Sequence, residues 1–150
     1  MATTATGRST PAHLWIVGIL ATVWNAFGCH DYFMSETHNE KYLSMYGSSA
    51  QDMIAYLDSF PTWAIGAWAL GVWGALAGSL LLLARSRHAV LAYAISLLGL
   101  LVLTVYQYGM SHPVAAMRTT GMNVMELVIW AIGIFLLWYA WTMEKKGVLR

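Results

Sequence analysis

Apolar residues fall into four long runs, at about residues 14–34, 61–84, 89–110 and 122–143, separated by short polar stretches. At 1.5 Å per residue each run makes a helix roughly 31–36 Å long, against a hydrocarbon core of roughly 30 Å. A water-soluble helix of this length carries charges along one face. Residues 61–84 and 89–105 hold no charged residue at all. The pattern predicts an all-α membrane protein: a four-transmembrane-helix bundle of two hairpins, forming one domain over residues 1–150.

The segment between the first two runs, about residues 35–60, is the one sizeable stretch outside them. Ser48 and Ser49 precede Gln51 and Asp52 at capping-box spacing. Ala50, Met53, Ile54 and Leu57 then recur at i, i+3, i+4 and i+7, opposite Gln51, Asp52 and Asp58. A short amphipathic helix at about 49–58 is predicted, lying flat on the outer interface and shielding the bundle end. Pro61 suits the first turn of the second span.

Small residues mark how the spans meet, because lipid supplies no hydrophobic drive between helices. The first run carries Gly18, Ala21, Asn25, Gly28 and Tyr32 at alternating three- and four-residue spacing, and the third carries Ala92, Ser96, Gly99, Leu103 and Tyr106 likewise. Each set is one continuous seam. The second run has Ala67, Gly71, Ala75 and Ser79 four apart, plus a Gly74-xxx-Gly78 face; the fourth offers Gly133 and Ala140. Tyr32-Phe33-Met34-Ser35 echoes Tyr108-Gly109-Met110-Ser111, and duplication and compositional bias account for it equally well.

Composition agrees with this reading: 59% of residues are hydrophobic and 10% charged, with a mean hydropathy of +0.57. A net charge of +1 with scattered basic residues leaves no footprint for nucleic acid. The single cysteine, Cys29, excludes an intramolecular disulfide. Cleavage of a signal sequence or lipidation there is not expected, since Asn25 interrupts the apolar run and Ala26-Phe27-Gly28 lacks an A-x-A pattern.

Orientation follows from charge. Arg8, Arg85, Arg87, Lys145, Lys146 and Arg150 fall on the side of the two termini, and Lys41 and Arg118 on the other. The positive-inside rule puts both termini and the 85–88 turn in the cytoplasm. Asp31, Glu36, Glu40, Asp52 and Asp58 make the outer side locally acidic. Most tryptophans and tyrosines, Tyr93, Tyr106 and Tyr139 among them, stand near run ends as boundary markers.

Polar groups at membrane depth are costly, so they carry the functional information. Asn25, Asp31, Tyr32, Tyr106, Gln107 and Glu126 gather toward the outer half and are the candidate substrate-binding residues. Carboxylates, amides and phenols converging on an outward pocket suit a polyol, a cation or a proton. The competing reading is interhelical bonding plus interfacial anchoring. His13, His30, His88 and His112 sit at span ends, and no ligand pair occurs at i, i+3 or i+4 spacing, so no metal, haem or other cofactor is expected. No catalytic grouping or phosphate-cradling loop stands at readable spacing, and an enzyme is not expected.

Leu14-Trp15-Ile16-Val17-Gly18, Trp24-Asn25-Ala26-Phe27-Gly28, Asp31-Tyr32, Ser59-Phe60-Pro61, Tyr106-Gln107-Tyr108-Gly109 and Gly147-Val148-Leu149-Arg150 together resemble a group of small proteobacterial four-span inner-membrane proteins often labelled sugar transporters. The resemblance runs from about residue 12 to residue 150. It implies the four-helix architecture and a sugar-like solute, and a transporter of four helices implies at least a dimer. Two functions are therefore expected. One is an oligomeric carrier of a polar solute or ion. The other is a non-transporting accessory subunit, docking on a larger membrane complex through the small-residue face from Gly71 through Gly74 to Gly78.

Overall fold

The computed structural model describes residues 9–150, which form helices α1 (Ala12–Glu36), α2 (Glu40–Leu43), α3 (Ala50–Asp58), α4 (Thr62–Leu83), α5 (His88–Gly109) and α6 (Thr120–Lys145), with 3-10 turns at Ser44–Tyr46 and Ala115–Arg118. No strand occurs among the described residues. Arg8, used above for orientation, lies outside them. The four long helices begin and end within two residues of the apolar runs, and each is long and apolar enough to cross a bilayer. At most 33% of any span's apolar window is buried, and large side chains stand free: Phe27 is 69% exposed and Leu127 69%. Apolar surface on this scale belongs in lipid, and the chain is a helical multi-pass membrane protein.

α1 packs on α4, α4 on α5 and α5 on α6, each antiparallel to the next. The predicted seams make these contacts. Gly18, Ala21 and Asn25 are buried on α1, and a Cβ on Gly28 would meet Val72 of α4 at 3.7 Å. Between α4 and α5 the backbones touch: a Cβ on Gly99 would lie 2.6 Å from the Ala67 carbonyl oxygen and 2.8 Å from Gly71 N. Ser96 closes the same contact by donating its hydroxyl to the Gly71 carbonyl at 2.6 Å. Small residues exchange side-chain bulk for this approach, which is how helices adhere in lipid.

α1 and α6 meet differently. They touch at the end that carries both termini, where His13 Nδ1 and the Tyr139 hydroxyl share a hydrogen bond, and they do not pack along their lengths. That termini end is dense: Leu14, Leu82, Ala89 and Ala140 are fully buried, with Val148 and Leu149 folded beneath them. α6 buries Leu136, Tyr139, Ala140 and Met143 there, and no residue before Leu136 is fully buried. The bundle is thus closed on four sides at one end and on three at the other.

The opposite end is roofed by residues 40–60. Ser49 caps α3 by accepting from Asp52 N at 3.1 Å, as the sequence predicts. The apolar stripe of α3 is turned onto the protein, not onto lipid: Met53 and Leu57 join Leu43 and pack with Val114 and Met117 of the 3-10 turn region. Tyr56 joins the buried face as well. The stripe expected to lie against the interface is thus covered by the chain's own residues.

Candidate functional site

The six sequence-predicted site residues separate into distinct environments. Asn25 is 9% exposed and faces α4, donating from Nδ2 to the Ser79 hydroxyl at 2.8 Å and to the Ala75 carbonyl at 3.2 Å. The Ser79 hydroxyl also bonds the Tyr93 hydroxyl at 2.9 Å. One polar chain therefore links α1, α4 and α5, and every member is satisfied. Tyr93 is a correction to the boundary-marker reading, because it is 2% exposed. Its ring fills the space that Gly78 leaves, where a Cβ would come within 2.8 Å of it.

Asp31 and Tyr32 serve the roof. The Asp31 carboxylate accepts from the hydroxyls of Tyr42, at 2.8 Å, and Tyr46. Burial pushes the Tyr46 phenol far above its usual range, and the Asp31 carboxylate beside it adds to the rise. Nearby, His38 Nε2 reaches Asp58 at 3.2 Å, tying the two ends of the roof segment. Tyr32 stands edge-on to Trp68 with ring centroids 5.1 Å apart. Tyr106 is buried between Phe60 and Trp63 and donates to the Ser59 carbonyl at 3.2 Å.

Glu126 and Gln107 remain. Glu126 sits half-buried on α6 and accepts from Tyr108 at 2.5 Å and from Thr104 at 3.4 Å, while the Trp130 indole N–H donates to Thr104 Oγ1 at 3.4 Å. Both carboxylate oxygens thus receive donors. Thr104 and Gln107 stand three apart on α5 and so share a face, and Ser111 follows just beyond the helix end. The Gln107 amide makes no side-chain hydrogen bond among the described residues, although its carbonyl accepts from Ser111 at 2.8 Å. These groups lie in the half of the bundle where α1 and α6 are apart.

Chemically, this region holds one carboxylate, one open amide, three hydroxyls and an indole, enough to hydrogen-bond a hydroxyl-rich solute or to pair with a cation. Of its partners, Tyr108 stands at the level of Gln107 and Trp130 on the Glu126 side of its run, both readable from spacing, whereas Thr104 escaped the sequence reading because its role depends on the α5–α6 register. Ser79 showed itself only as one of four small residues spaced by four.

Two further grooves are apolar. One of about 460 Å³ runs between α4 and α5 and is lined by Trp63, Gly66, Leu70, Ile95, Leu98 and Val102 among others. A second of about 340 Å³ lies between α5 and α6 beside Trp138 and Trp141. The Gly71–Gly74–Gly78 face, expected to be free for a docking partner, is occupied by α5: Cβ atoms there would meet Leu100 N at 3.6 Å, Ser96 Cβ at 3.3 Å and Tyr93 at 2.8 Å. No known family model, curated protein or solved structure matches the chain.

Proposed function

We propose that the protein is a small carrier of the bacterial inner membrane for a polar, sugar-like solute or a cation, with Glu126, Thr104 and Gln107 lining its site. What supports the reading is the asymmetry of the α1–α6 seam: closed at the termini end by His13, Tyr139 and the packed core, and open in the half that holds the Glu126 carboxylate. With Arg85, Arg87, Lys145, Lys146 and Arg150 at the termini end, the positive-inside rule turns the open half toward the periplasm. A site open on one face and sealed on the other is what alternating access requires of one of its states. Asn25, Asp31, Tyr32 and Tyr106 then hold the frame. A four-helix chain with a three-sided cleft needs a second copy to complete a path, so the working unit is an oligomer.

The test is uptake into proteoliposomes, scanning radiolabelled hexoses and polyols and, separately, proton and sodium movement with entrapped dyes. The carrier reading expects a flux that Glu126→Gln abolishes while the melting temperature holds. Wild-type vesicles indistinguishable from empty ones across the scan would reject it. The apolar α4–α5 groove, with open space beside Gly66, favours a second reading, an accessory subunit that seats a partner's helix there. Absent flux, together with a defined partner whose binding Gly66→Leu blocks, would establish that alternative.

A further inference from the structure

The termini end carries a feature that the cleft does not use. Among the described residues one buried side-chain nitrogen lacks a hydrogen-bond partner, Nη2 of Arg85. Arg85 follows the C-cap of α4 with φ 58°, donating its N–H to Leu82 O at 3.0 Å while Ser86 donates to Leu81 O at 2.8 Å. That is a Schellman turn, whose left-handed residue is ordinarily glycine. After α6 the chain does place glycine in that role, Gly147 with φ 70°. After α4 it accepts backbone strain and a buried, unsatisfied guanidinium nitrogen instead, each unfavourable for stability.

The surroundings point to what the guanidinium serves. Its Nε donates to the Val148 carbonyl at 3.4 Å. Arg150 N donates to Arg85 O at 2.8 Å and Arg87 N to Arg150 O at 2.9 Å, so the segment 148–150 is bridged to the turn. The bridge brings the backbones of three arginines side by side, with Arg87 and Arg150 exposed. None of the three forms an ion pair with a carboxylate among the described residues. Backbone bonds thus fasten the turn to the segment that carries Arg150, and the orphaned Arg85 donor calls for an acceptor such as an anion that offers several oxygens. At the end of a membrane bundle that chemistry is phosphate.

We propose that the Arg85 turn and the bridged segment 148–150 form a phosphate-binding site, with Arg85 as the deep donor and Arg87 and Arg150 at its mouth. The phosphate comes from an anionic phospholipid headgroup or from a free phosphate, and one experiment separates the two. The full chain is melted in neutral maltoside detergent with phosphatidylglycerol, with phosphatidylcholine, and with sodium phosphate against sodium chloride at equal ionic strength. Arg85→Gly is the informative variant, because glycine suits the left-handed position and the fold is retained. The Arg87→Gln/Arg150→Gln pair tests the mouth while leaving the turn intact.

Phosphatidylglycerol is expected to raise the wild-type melting temperature in a saturable way, with apparent affinity about tenfold or more weaker in both variants, the scale of one lost charge-assisted contact. A matching rise with sodium phosphate assigns the site to free phosphate, and a rise with phosphatidylglycerol alone assigns it to the headgroup. A wild type indifferent to both, or an Arg85→Gly variant that responds as wild type does, would overturn the proposal.

Discussion

Replacing Gly99 by alanine tests the fold at its narrowest point. The added Cβ would stand 2.6 Å from the Ala67 carbonyl oxygen and 2.8 Å from Gly71 N, both backbone atoms that no rotamer change can move. Ordinary contact begins near 3.4 Å, so α4 and α5 must part by up to about 0.8 Å. The same parting would stretch the 2.6 Å Ser96–Gly71 hydrogen bond to the edge of its range. Overpacking costs roughly 1–3 kcal/mol, a weakened interhelical bond adds roughly 0.6 kcal/mol, and the helix preference of alanine returns roughly 0.8–1 kcal/mol. The net loss is roughly 0.6–2.8 kcal/mol, or about 3- to 100-fold in the folding equilibrium. Unfolding in mixed micelles as the fraction of dodecyl sulfate rises, followed by circular dichroism, measures it. Gly66→Ala is the control, because nothing lies within 4 Å of its Cβ position, and it is expected to match or exceed wild type. Gly18→Ala should fall between them, since its 2.5 Å clash is with Cδ2 at the tip of the Leu83 side chain. If Gly99→Ala and Gly66→Ala unfold together, the backbone contact between α4 and α5 does not exist as described.

Three more outcomes follow from the polar contacts. Tyr93→Phe leaves the ring over Gly78 but removes the hydroxyl bonded to Ser79, and a loss of about 0.6–1.7 kcal/mol in the same assay is expected; no loss would show that Asn25 and Ser79 suffice alone. The raised pKa of Tyr46 means that the folded chain keeps a proton which the unfolded chain releases near pH 10.0, so stability is full below that pH and declines as pH rises beyond it. Alkaline melting curves should show the decline, and Tyr46→Phe should flatten part of it; identical slopes would contradict the roof contact with Asp31. Cys29 is 6% exposed and its thiol donates to the Val72 carbonyl at 3.4 Å, so a charged maleimide should leave the folded protein unlabelled and react once dodecyl sulfate unfolds it. Labelling in the folded state would mean that α1 does not lie on α4.

How far the sequence foretold the molecule depends on how local each signal is. Span positions were legible within two residues because length and unbroken apolarity are properties of each run alone. The seams were legible too, since Gly18, Ser96 and Gly99 declare a close approach wherever a helix must pack in lipid. What each seam faces was not legible. Nothing in Gly71, Gly74 and Gly78 says whether the helix laid on them comes from the same chain, and α5 takes the place. Tyr93 looked like an interfacial ring because it stands five residues into α5, yet the glycine opposite it on α4 draws it inward.

The site residues divide along the same line. Asn25 and Asp31 were found because a polar side chain in an apolar run is conspicuous, but each is conspicuous for two reasons that sequence cannot separate: to bind a solute or to bind a neighbour. Their partners in the fold differ from residue to residue. Asn25 finds Ser79 and Ala75, and Asp31 finds Tyr42 and Tyr46, whereas Gln107 finds none for its amide and the Glu126 carboxylate finds donors but no cation. At the other end Arg85 is the mirror case, a cation whose Nη2 has no acceptor. Its sequence context, an arginine in a short basic turn, reads as an ordinary topology signal. Only the left-handed φ and the orphaned nitrogen distinguish it from Arg87 two residues on. Where the buried polar side chains among the described residues are otherwise paired, the groups left short of a counter-charge or acceptor are where binding is to be sought.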